Sequence, residues 1–228
     1  MGLKAVLFDL DGTLVDSVSG LHQAVNAVLI EQGGDGCSVD EVRHWVGNGP
    51  KKLIQRALES RGIDMSPEDG LAAFREHYAR TLFSAEFYPG VPQGLARLKA
   101  AGLRLACITN KSSHFTGPFL THMGLSDTFD AVLCGDQVEH PKPHPESLIR
   151  ICEGFEIEPD QALMVGDSVN DLIPARDIGM PALAVSYGYH QNQNLADYDA
   201  EAVLDDFSAI VERVLTKSTG SIDGTRLY

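Results

Sequence analysis

Apolar positions change their spacing once along the chain. Between residues 17 and 86 they recur every three to four positions, as at Leu21, Val25 and Val28, which predicts helices and no strand. Glycine and proline stretches divide this region into segments, and Ser38 opens a capping-box pattern. The predicted helices cover residues 18–32, a short segment that opens at Ser38, residues 51–61 and residues 67–83.

After this region, short apolar runs alternate with amphipathic helices, and one such run also begins the chain. Runs of this kind are typical of strands that are buried on both faces of a parallel sheet. Polar, aperiodic residues from 217 to 228 predict a frayed tail. The predicted strands are 5–8, 103–108, 131–133, 162–165 and 181–185, and the predicted helices are 92–101, 115–123, 146–155, 172–178 and 207–215.

The alternation predicts an α/β fold, with a doubly wound parallel-sheet core of the Rossmann type and a small inserted α-helical domain. The core comprises residues 1–16 and 87–228, and the insertion comprises residues 17–86. Sheets of this kind bind ligands at the carboxyl ends of their strands. Polar side chains that follow the predicted strands therefore converge on one site: Asp9, Asp11, Thr109, Lys142, Asp167 and Asp171.

Two acids leave the first predicted strand. Asp9 and Asp11 point the same way because Leu10 lies between them. Carboxylates beside a buried strand are costly unless a positive group accompanies them. Mg²⁺ prefers oxygen ligands, with one or two carboxylates and the remainder water and phosphate. Asp9 and Asp167 can supply the carboxylates, and the main-chain carbonyl of Asp11 can supply a third ligand.

The same residues suit phosphoryl transfer. A carboxylate such as Asp9 can accept a phosphoryl group, and the transfer demands in-line positioning and neutralisation of the phosphoryl oxygens. Thr109, Lys142 and the backbone N–H groups after Asp9 can neutralise those oxygens. Asp11 is placed to protonate the leaving alcohol and later to activate water.

Charge and composition limit the partners. A formal net charge of −14 argues against nucleic acid and anionic membranes as partners, so an anionic substrate needs local cations. No apolar run reaches membrane-spanning length, and the N-terminus shows no signal-peptide pattern. The four cysteines are widely spaced, as in reduced cytosolic proteins. We expect a cytoplasmic protein that acts on a small phosphorylated metabolite, either as a monomer or as a homodimer.

The motifs resemble those of the haloacid dehalogenase superfamily in order and in spacing across nearly the whole chain. They are Asp9-Leu10-Asp11-Gly12-Thr13, Thr109, Lys142-Pro143, and Gly166-Asp167 with Asp171. The resemblance implies Asp9 as nucleophile, Asp11 as general acid/base, and Mg²⁺ on Asp9, the Asp11 carbonyl and Asp167. It implies phosphoryl binding by Leu10, Thr109, Asn110 and Lys142, and supporting roles for Thr13, Ser168, Asn170 and Asp171. Dehalogenases of the superfamily lack an acid at position 11 and its transporting ATPases have Thr there, so Asp11 favours a phosphate-monoester reaction.

Further stretches are similar to bacterial phosphoglycolate phosphatases. They are Asp16-Ser17, Trp45 to Gly49, Tyr88 to Val91, Thr109 to Lys111, Lys142 to Pro145 and Ser186 to Tyr189. The similarity implies 2-phosphoglycolate as substrate and a helical cap that closes over the site and reads the leaving group. Gly47, Asn48 and Gly49 resemble a substrate-reading cap loop, and Arg43 either offsets a substrate carboxylate or lies on an exposed helix face. Ser112 departs from this pattern, in which Pro follows Asn-Lys.

Other functions stay open at this point. A phosphatase of broad specificity, or one for sugar phosphates or pyrophosphate, shares every motif. A phosphomutase of the β-phosphoglucomutase type shares the motifs and the cap, but it carries a basic residue in the loop where this chain has Asn48-Gly49. A non-catalytic binding module predicts loss of Asp9, Asp11 or Lys142, and all three are present.

Overall fold

The structure is a computed structural model of the 228-residue chain and describes residues 2–219. The strands are β1 (Ala5–Phe8), β2 (Val15–Asp16), β3 (Glu86–Phe87), β4 (Arg104–Thr109), β5 (Ala131–Cys134), β6 (Ala162–Gly166), β7 (Ala182–Val185) and β8 (Ala202–Leu204). The helices are α1 (Val18–Glu31), α2 (Val39–Trp45), α3 (Pro50–Ser60), α4 (Pro67–Thr81), α5 (Val91–Ala100), α6 (Ser113–His122), α7 (Glu146–Phe155), α8 (Val169–Asp177) and α9 (Phe207–Thr219). Within the described range, no helix has both the length and the hydropathy that a membrane crossing requires.

A six-stranded sheet forms the centre of the molecule, in the order β5-β4-β1-β6-β7-β8. Neighbouring strands all run parallel. Phe8 of β1 lies in register with Cys107 of β4 and Val165 of β6, so the segments that leave these three strands emerge side by side. Helices cover both faces, which confirms the predicted α/β fold with its doubly wound sheet.

Strand β1 shows how the two faces are filled. Val6 and Phe8 belong to one hydrophobic cluster, and Ala5 and Leu7 belong to another on the opposite face. All four side chains have 0% exposure, so β1 is buried on both sides as its continuous apolar run predicts. A buried central strand holds the acids at its carboxyl end in a fixed position.

Helices α1 to α4 lie between two very short strands. Strands β2 and β3 pair as an antiparallel ribbon, with Val15 opposite Phe87 and Asp16 opposite Glu86. The helices pack on one another, α1 and α3 against α4 in particular. The sequence predicts no strand at Glu86, and that prediction is wrong because a two-residue strand is too short to show alternation. The division of the chain into core and cap stays a prediction.

Three other elements differ from the prediction. Strand β8 was not expected, because it is a three-residue edge strand in an acidic stretch. Helix α8 begins at Val169 and not at Leu172, because Ser168 and Asp171 form a capping box. Helix α9 continues to Thr219, so residues 217–219 are helical, and the rest of the predicted frayed tail lies outside the described residues.

Candidate active site

Three carboxyl groups meet at the carboxyl ends of β1 and β6. Oxygens of Asp9, Asp167 and Asp171 lie within 4.8 Å of one another. Asp167 and Asp171 are buried, and Asp9 is partly accessible from the cavity above the sheet. The structure thus brings together three acids that the sequence placed at one sheet edge.

Lys142 lies against these acids. The loop between β5 and α7 carries it, and the Lys142-Pro143 peptide bond is cis. Its Nζ lies 2.9 Å from Asp9 Oδ1 and 2.6 Å from Asp171 Oδ1, and it donates to the Ile108 carbonyl at 2.8 Å. An ammonium group has three donors, and these contacts use all three. The lysine is therefore fixed between Asp9 and Asp171.

The charges of this cluster do not balance. Burial raises the pKa of Asp9 to about 7, although Lys142 beside it acts in the opposite direction. Burial raises the pKa of Asp167 well above its ordinary value, and Asp9 adds to the effect. Burial alone lowers the pKa of Lys142, but Asp171 and Asp9 prevail and raise it. Three acids with one lysine and an all-oxygen donor set fit a divalent cation.

Asp167 is held by groups from two loops. Thr13 donates its hydroxyl to Asp167 Oδ1 at 3.2 Å, and the backbone N–H of Tyr189 donates to Oδ2. Gly12 and Gly188 permit this approach, because a Cβ at Gly12 would lie 2.2 Å from Asp167 Oδ2 and one at Gly188 would lie 2.3 Å from its Cβ. Tyr189 was not among the predicted site residues, although it belongs to the stretch Ser186 to Tyr189 that resembles phosphoglycolate phosphatases.

Ser168 and Asn170, for which the resemblance implies supporting roles, have hydrogen-bond partners other than Asp167. The backbone N–H and hydroxyl of Ser168 donate to Asp171 Oδ2 at 3.1 and 3.0 Å, so Ser168 orients Asp171. Asn170 faces the loop that follows α2: it donates to the Gly47 carbonyl at 3.2 Å and accepts from Asn48 at 2.9 Å. The acid Asp171 is thus fixed by Ser168 and Lys142 together.

A second buried lysine lies on the other side of the site. Lys111 Nζ is 3.1 and 3.2 Å from the two carboxylate oxygens of Asp11, and it donates to the Tyr78 hydroxyl of α4 at 2.5 Å. Its backbone N–H donates to the hydroxyl of Thr109 at 3.1 Å. The spacing of residues along the chain does not predict the contact between Lys111 and Tyr78, because it depends on how α4 lies against the sheet.

The loop of residues 46–49, here called the cap loop, is docked on the sheet edge by amide side chains. Asn110 donates to the Gly47 carbonyl at 2.9 Å and to the Lys142 carbonyl at 2.8 Å. Gln191 donates to the Val46 carbonyl at 2.5 Å. With the bonds from Asn170, these contacts join the cap loop to three loops of the core. Gly47 and Gly49 line the cavity beneath.

Arg43 points away from that cavity. Its guanidinium pairs with Asp16 at 3.2 Å and lies 5.7 Å from the ring centre of Tyr189. The Tyr189 hydroxyl donates to Asp16 at 2.6 Å and accepts from the backbone N–H of Ser17 at 2.9 Å. Arg43 therefore lies at the joint between β2 and α1, and it is not among the cavity-lining residues.

The cavity between these groups has a volume of about 60 Å³. Its floor is polar, with Asp9, Asp11, Thr109 and Lys142, and its roof is mostly apolar. The apolar lining residues are Leu21, Val46, Leu53, Phe74 and Phe115. A carboxylate nucleophile, a second acid and a lysine around one small cavity can transfer a phosphoryl group from an alcohol to water in two steps.

A further group of metal-capable side chains lies on the surface, at His140, His144 and Glu146. Both histidines are exposed, and Glu146 already accepts hydrogen bonds from the backbone N–H groups of Glu139 and His140. This group is separate from the cavity, and its hydrogen bonds stabilise the loop that carries Lys142.

Comparisons with known proteins identify the family of this chain. A family model described as haloacid dehalogenase-like hydrolase matches residues 6–185. A phosphoglycolate phosphatase of Psychrobacter arcticus is 39% identical over 224 residues, which cover 94% of this chain and 97% of that protein. Phosphoglycolate phosphatase 1 of Pseudomonas aeruginosa is 40% identical over 207 residues, which cover 89% of this chain and 76% of that protein.

A solved structure shares the fold. The crystal structure of a predicted phosphoglycolate phosphatase from Haemophilus somnus 129pt has a TM-score of 0.86 and 33% identity, and the match covers 92% of this chain and 97% of that one. These matches span both the sheet and the helices α1 to α4. They confirm the family and the reaction class that the sequence predicts, hydrolysis of a phosphate ester. The chain belongs to the haloacid dehalogenase-like hydrolases.

Proposed function

We propose that the protein is a Mg²⁺-dependent phosphatase that hydrolyses 2-phosphoglycolate to glycolate and phosphate through an aspartyl-phosphate intermediate. The observation that carries the proposal is the contact of the Asp9 carboxylate with Lys142 at the floor of a small cavity, with Asp11 beside it. The relatives named phosphoglycolate phosphatase support the choice of substrate.

Asp9, Asp167 and the main-chain carbonyl of Asp11 would hold Mg²⁺. When bound, the ion neutralises charge on the carboxylate and the phosphoryl group, so that one anion can approach another. Thr13 and Tyr189 keep Asp167 in place by donating to both of its oxygens. Asp171, with Ser168 behind it, holds Lys142 toward Asp9.

Lys142, Thr109 and the backbone N–H groups of Leu10 and Asn110 would bind the phosphoryl oxygens. The side chain of Asn110 does not take part in this binding, because it already donates to the carbonyls of Gly47 and Lys142. In the first step an oxygen of Asp9 bonds to phosphorus, the bond from phosphorus to the glycolate oxygen breaks, and Asp11 gives that oxygen a proton. In the second step water attacks the phosphorus, Asp11 takes a proton from it, and the bond to Asp9 breaks.

The size of the cavity supports a small leaving group. A water-sized group needs roughly 10–15 Å³ of such volume, so the cavity of about 60 Å³ has room for few atoms beyond the phosphoryl group. Glycolate has two carbons, whereas a hexose is far larger. We also propose that residues 17–86 act as the cap over this cavity, and that the enzyme works in the cytoplasm without nucleic acid or membrane.

The test is a comparison of kcat/KM, with Mg²⁺, across phosphate monoesters that include 2-phosphoglycolate and β-glucose 1-phosphate, and for the anhydride pyrophosphate. We expect 2-phosphoglycolate to be preferred by about 100-fold, which corresponds to about 2.7 kcal/mol in transition-state binding. EDTA should abolish turnover and Mg²⁺ should restore it. A flat profile would remove the named substrate, and isomerisation of β-glucose 1-phosphate without phosphate release would favour a phosphomutase.

A further inference from the structure

The carboxylate of a substrate such as 2-phosphoglycolate needs a counter-ion inside the cavity. Among the described residues, Lys142 and Lys111 are the cations that line it. An unpaired carboxylate is costly to bury beside apolar walls such as Phe74 and Phe115. The question is therefore which of the two lysines can accept a new anion beside its present partners.

Lys142 cannot take that role. Its Nζ lies 2.9 Å from Asp9 Oδ1, on the nucleophile side of the cavity, where the phosphoryl group must bind. A carboxylate placed there would compete with the group that reacts.

Lys111 lies on the opposite side, where the leaving group must be. Its Nζ donates to both carboxylate oxygens of Asp11 and to the Tyr78 hydroxyl, and Asp11 itself lines the cavity. The rings of Tyr78 and Phe119 lie 4.9 and 5.1 Å from Nζ and limit where the side chain can move. A ligand carboxylate in the cavity therefore binds Lys111 by taking the place of one Asp11 oxygen.

The other candidate partners for the substrate carboxylate are engaged in contacts of their own. Arg43 pairs with Asp16 outside the cavity, and Arg56 donates to the Trp45 carbonyl and to Asn48 at 2.7 Å each. The cap loop presents the Gly47 carbonyl to Asn110 and Asn170, and a carbonyl oxygen repels a carboxylate. These contacts remove the cap-loop residues and Arg43 as direct charge partners.

We propose that Lys111 binds the carboxylate of the substrate and thereby selects anionic leaving groups, with Tyr78 of α4 holding its ammonium group in place. This inference rests on the proposed function and names the residue that reads its substrate. The carboxylate then shares Lys111 with Asp11, which frees the Asp11 side chain to turn toward the leaving oxygen. An uncharged leaving group leaves Lys111 and Asp11 paired as they are.

The experiment compares three substrates of similar size that differ in the charge of the leaving group. They are 2-phosphoglycolate, ethyl phosphate and O-phosphoethanolamine. For the wild-type enzyme we expect kcat/KM to fall in that order. Lys111→Met and Lys111→Gln should lower kcat/KM for 2-phosphoglycolate by about 10- to 100-fold, since a hydrogen bond to a charged group is lost. Loss of Lys111 also removes the partner of Asp11 and should lower kcat/KM for ethyl phosphate as well, so the readout is the ratio of the two values, which should shrink by about 10-fold or more.

A matched control is Lys52→Met, which removes an exposed lysine of α3 and should leave all three values unchanged. Arg43→Met tests the rival reader: if it erases the preference while the Lys111 variants keep it, the proposal is wrong. Far-ultraviolet circular dichroism and thermal melts establish that each variant is folded.

Tyr78→Phe decides the matter if the Lys111 variants do not fold. It keeps the ring and removes only the hydroxyl, so we expect the preference for 2-phosphoglycolate over ethyl phosphate to fall by about 5-fold. An unchanged preference in folded Tyr78→Phe and Lys111 variants overturns the inference. If the wild type itself shows no preference for 2-phosphoglycolate, the proposed substrate fails, and that result is read before any variant is made.

Discussion

The two buried lysines of the site differ in where their partners lie. Lys142 contacts Asp9, Asp171 and the Ile108 carbonyl, all at the edge of the central sheet. Lys111 contacts Asp11 at that same edge and the Tyr78 hydroxyl on α4. Lys142 is 4% exposed and Lys111 is 7% exposed, so burial does not separate them.

The two lysines differ in which parts of the molecule must come together to surround them. In the proposed mechanism the phosphoryl side lies around Lys142, whose partners belong to the sheet and the loops that leave it. The proposed leaving-group side lies around Lys111 and is complete only when α4 lies against the sheet, because Tyr78 comes from that helix. Chemistry on phosphorus should therefore depend on core residues alone, whereas selection of the leaving group should depend on both parts.

Loss of the nucleophile tests the phosphoryl side most severely. Asp9→Asn should reduce kcat by at least about 10⁴-fold, because an amide does not attack phosphorus. The variant should stay folded, since Asn matches the volume of Asp and burial already disfavours the charge of Asp9. Steady-state kinetics and thermal melts check both points, with exposed Asp127→Asn as control. Turnover at the wild-type rate would contradict the proposed mechanism.

Asp11 lies at the boundary between the two sides. Asp11→Asn should slow turnover by about 10²- to 10⁴-fold, because it removes proton transfer in both steps. With p-nitrophenyl phosphate, whose leaving group needs little protonation, the second step should be slowed more than the first, so a phosphorylated enzyme should accumulate. Rapid acid quench with labelled substrate measures that species. Normal turnover, or a phosphoenzyme level equal to that of the wild type, would exclude the acid/base role.

The sequence predicts the phosphoryl side well, for a simple reason. Residues that directly follow parallel strands must meet at one edge, so Asp9, Thr109 and Asp167 could be placed together without coordinates. Lys142 lies on a longer loop, and its place was implied by the family motif. The strand pattern and the sheet topology are enough to predict these positions, because they do not depend on packing between segments that are distant in sequence.

The leaving-group side is not predictable in the same way. Tyr78 and Lys111 are 33 positions apart, and their contact depends on how α4 packs on the sheet. The partners of Asn170 lie in the cap loop, so these contacts also depend on how a segment distant in sequence packs on the sheet edge. Tyr189 reaches both Asp167 and Asp16 from one loop, and the sequence carries little sign of this beyond Gly188. Spacing along the chain does not encode such packing between distant segments.

Metal binding should depend on pH through the carboxyl group of Asp9. The pKa of Asp9 is raised from an ordinary value of 3.8 to about 7, so the folded state holds a proton that the unfolded state releases. Stability of the metal-free protein should therefore fall as pH rises from 3.8 to about 7 through this group. Mg²⁺ replaces that proton, so its stabilising effect should grow over the same range.

At a concentration about 100 times its dissociation constant, Mg²⁺ should add about 2.7 kcal/mol to the free energy of unfolding. In a chain of this size that raises Tm by roughly 5–10 °C. Melts at pH 6 and pH 8, with Mg²⁺ or EDTA, measure the effect, and the rise should be larger at pH 8. Asp9→Asn should reduce this dependence on pH, and an equal rise at both pH values in the wild type would contradict the linkage.

The smallest expected effect concerns the docking of the cap loop. Asn48→Ala removes the hydrogen bond to Asn170 and the one from Arg56, so the loop is held less firmly above the cavity. We expect kcat/KM for 2-phosphoglycolate to fall by about 5- to 30-fold, from about 1 kcal/mol for each of the lost hydrogen bonds. Phosphoenzyme chemistry should be unaffected, because Lys142 and its partners lie in the core.

Trp45 is the one tryptophan of the chain and lies beside this loop, so its fluorescence reports the docking directly. Inorganic phosphate should change that signal less in Asn48→Ala than in the wild type, because a looser loop responds less to an occupied cavity. Gln55→Ala on the exposed side of α3 is the control, since Gln55 bonds only within its own helix among the described contacts. If Asn48→Ala and Gln55→Ala give the same kcat/KM and the same fluorescence response, the hydrogen bonds of the cap loop do not affect substrate binding. The dependence of the leaving-group side on the cap then rests on Tyr78 alone.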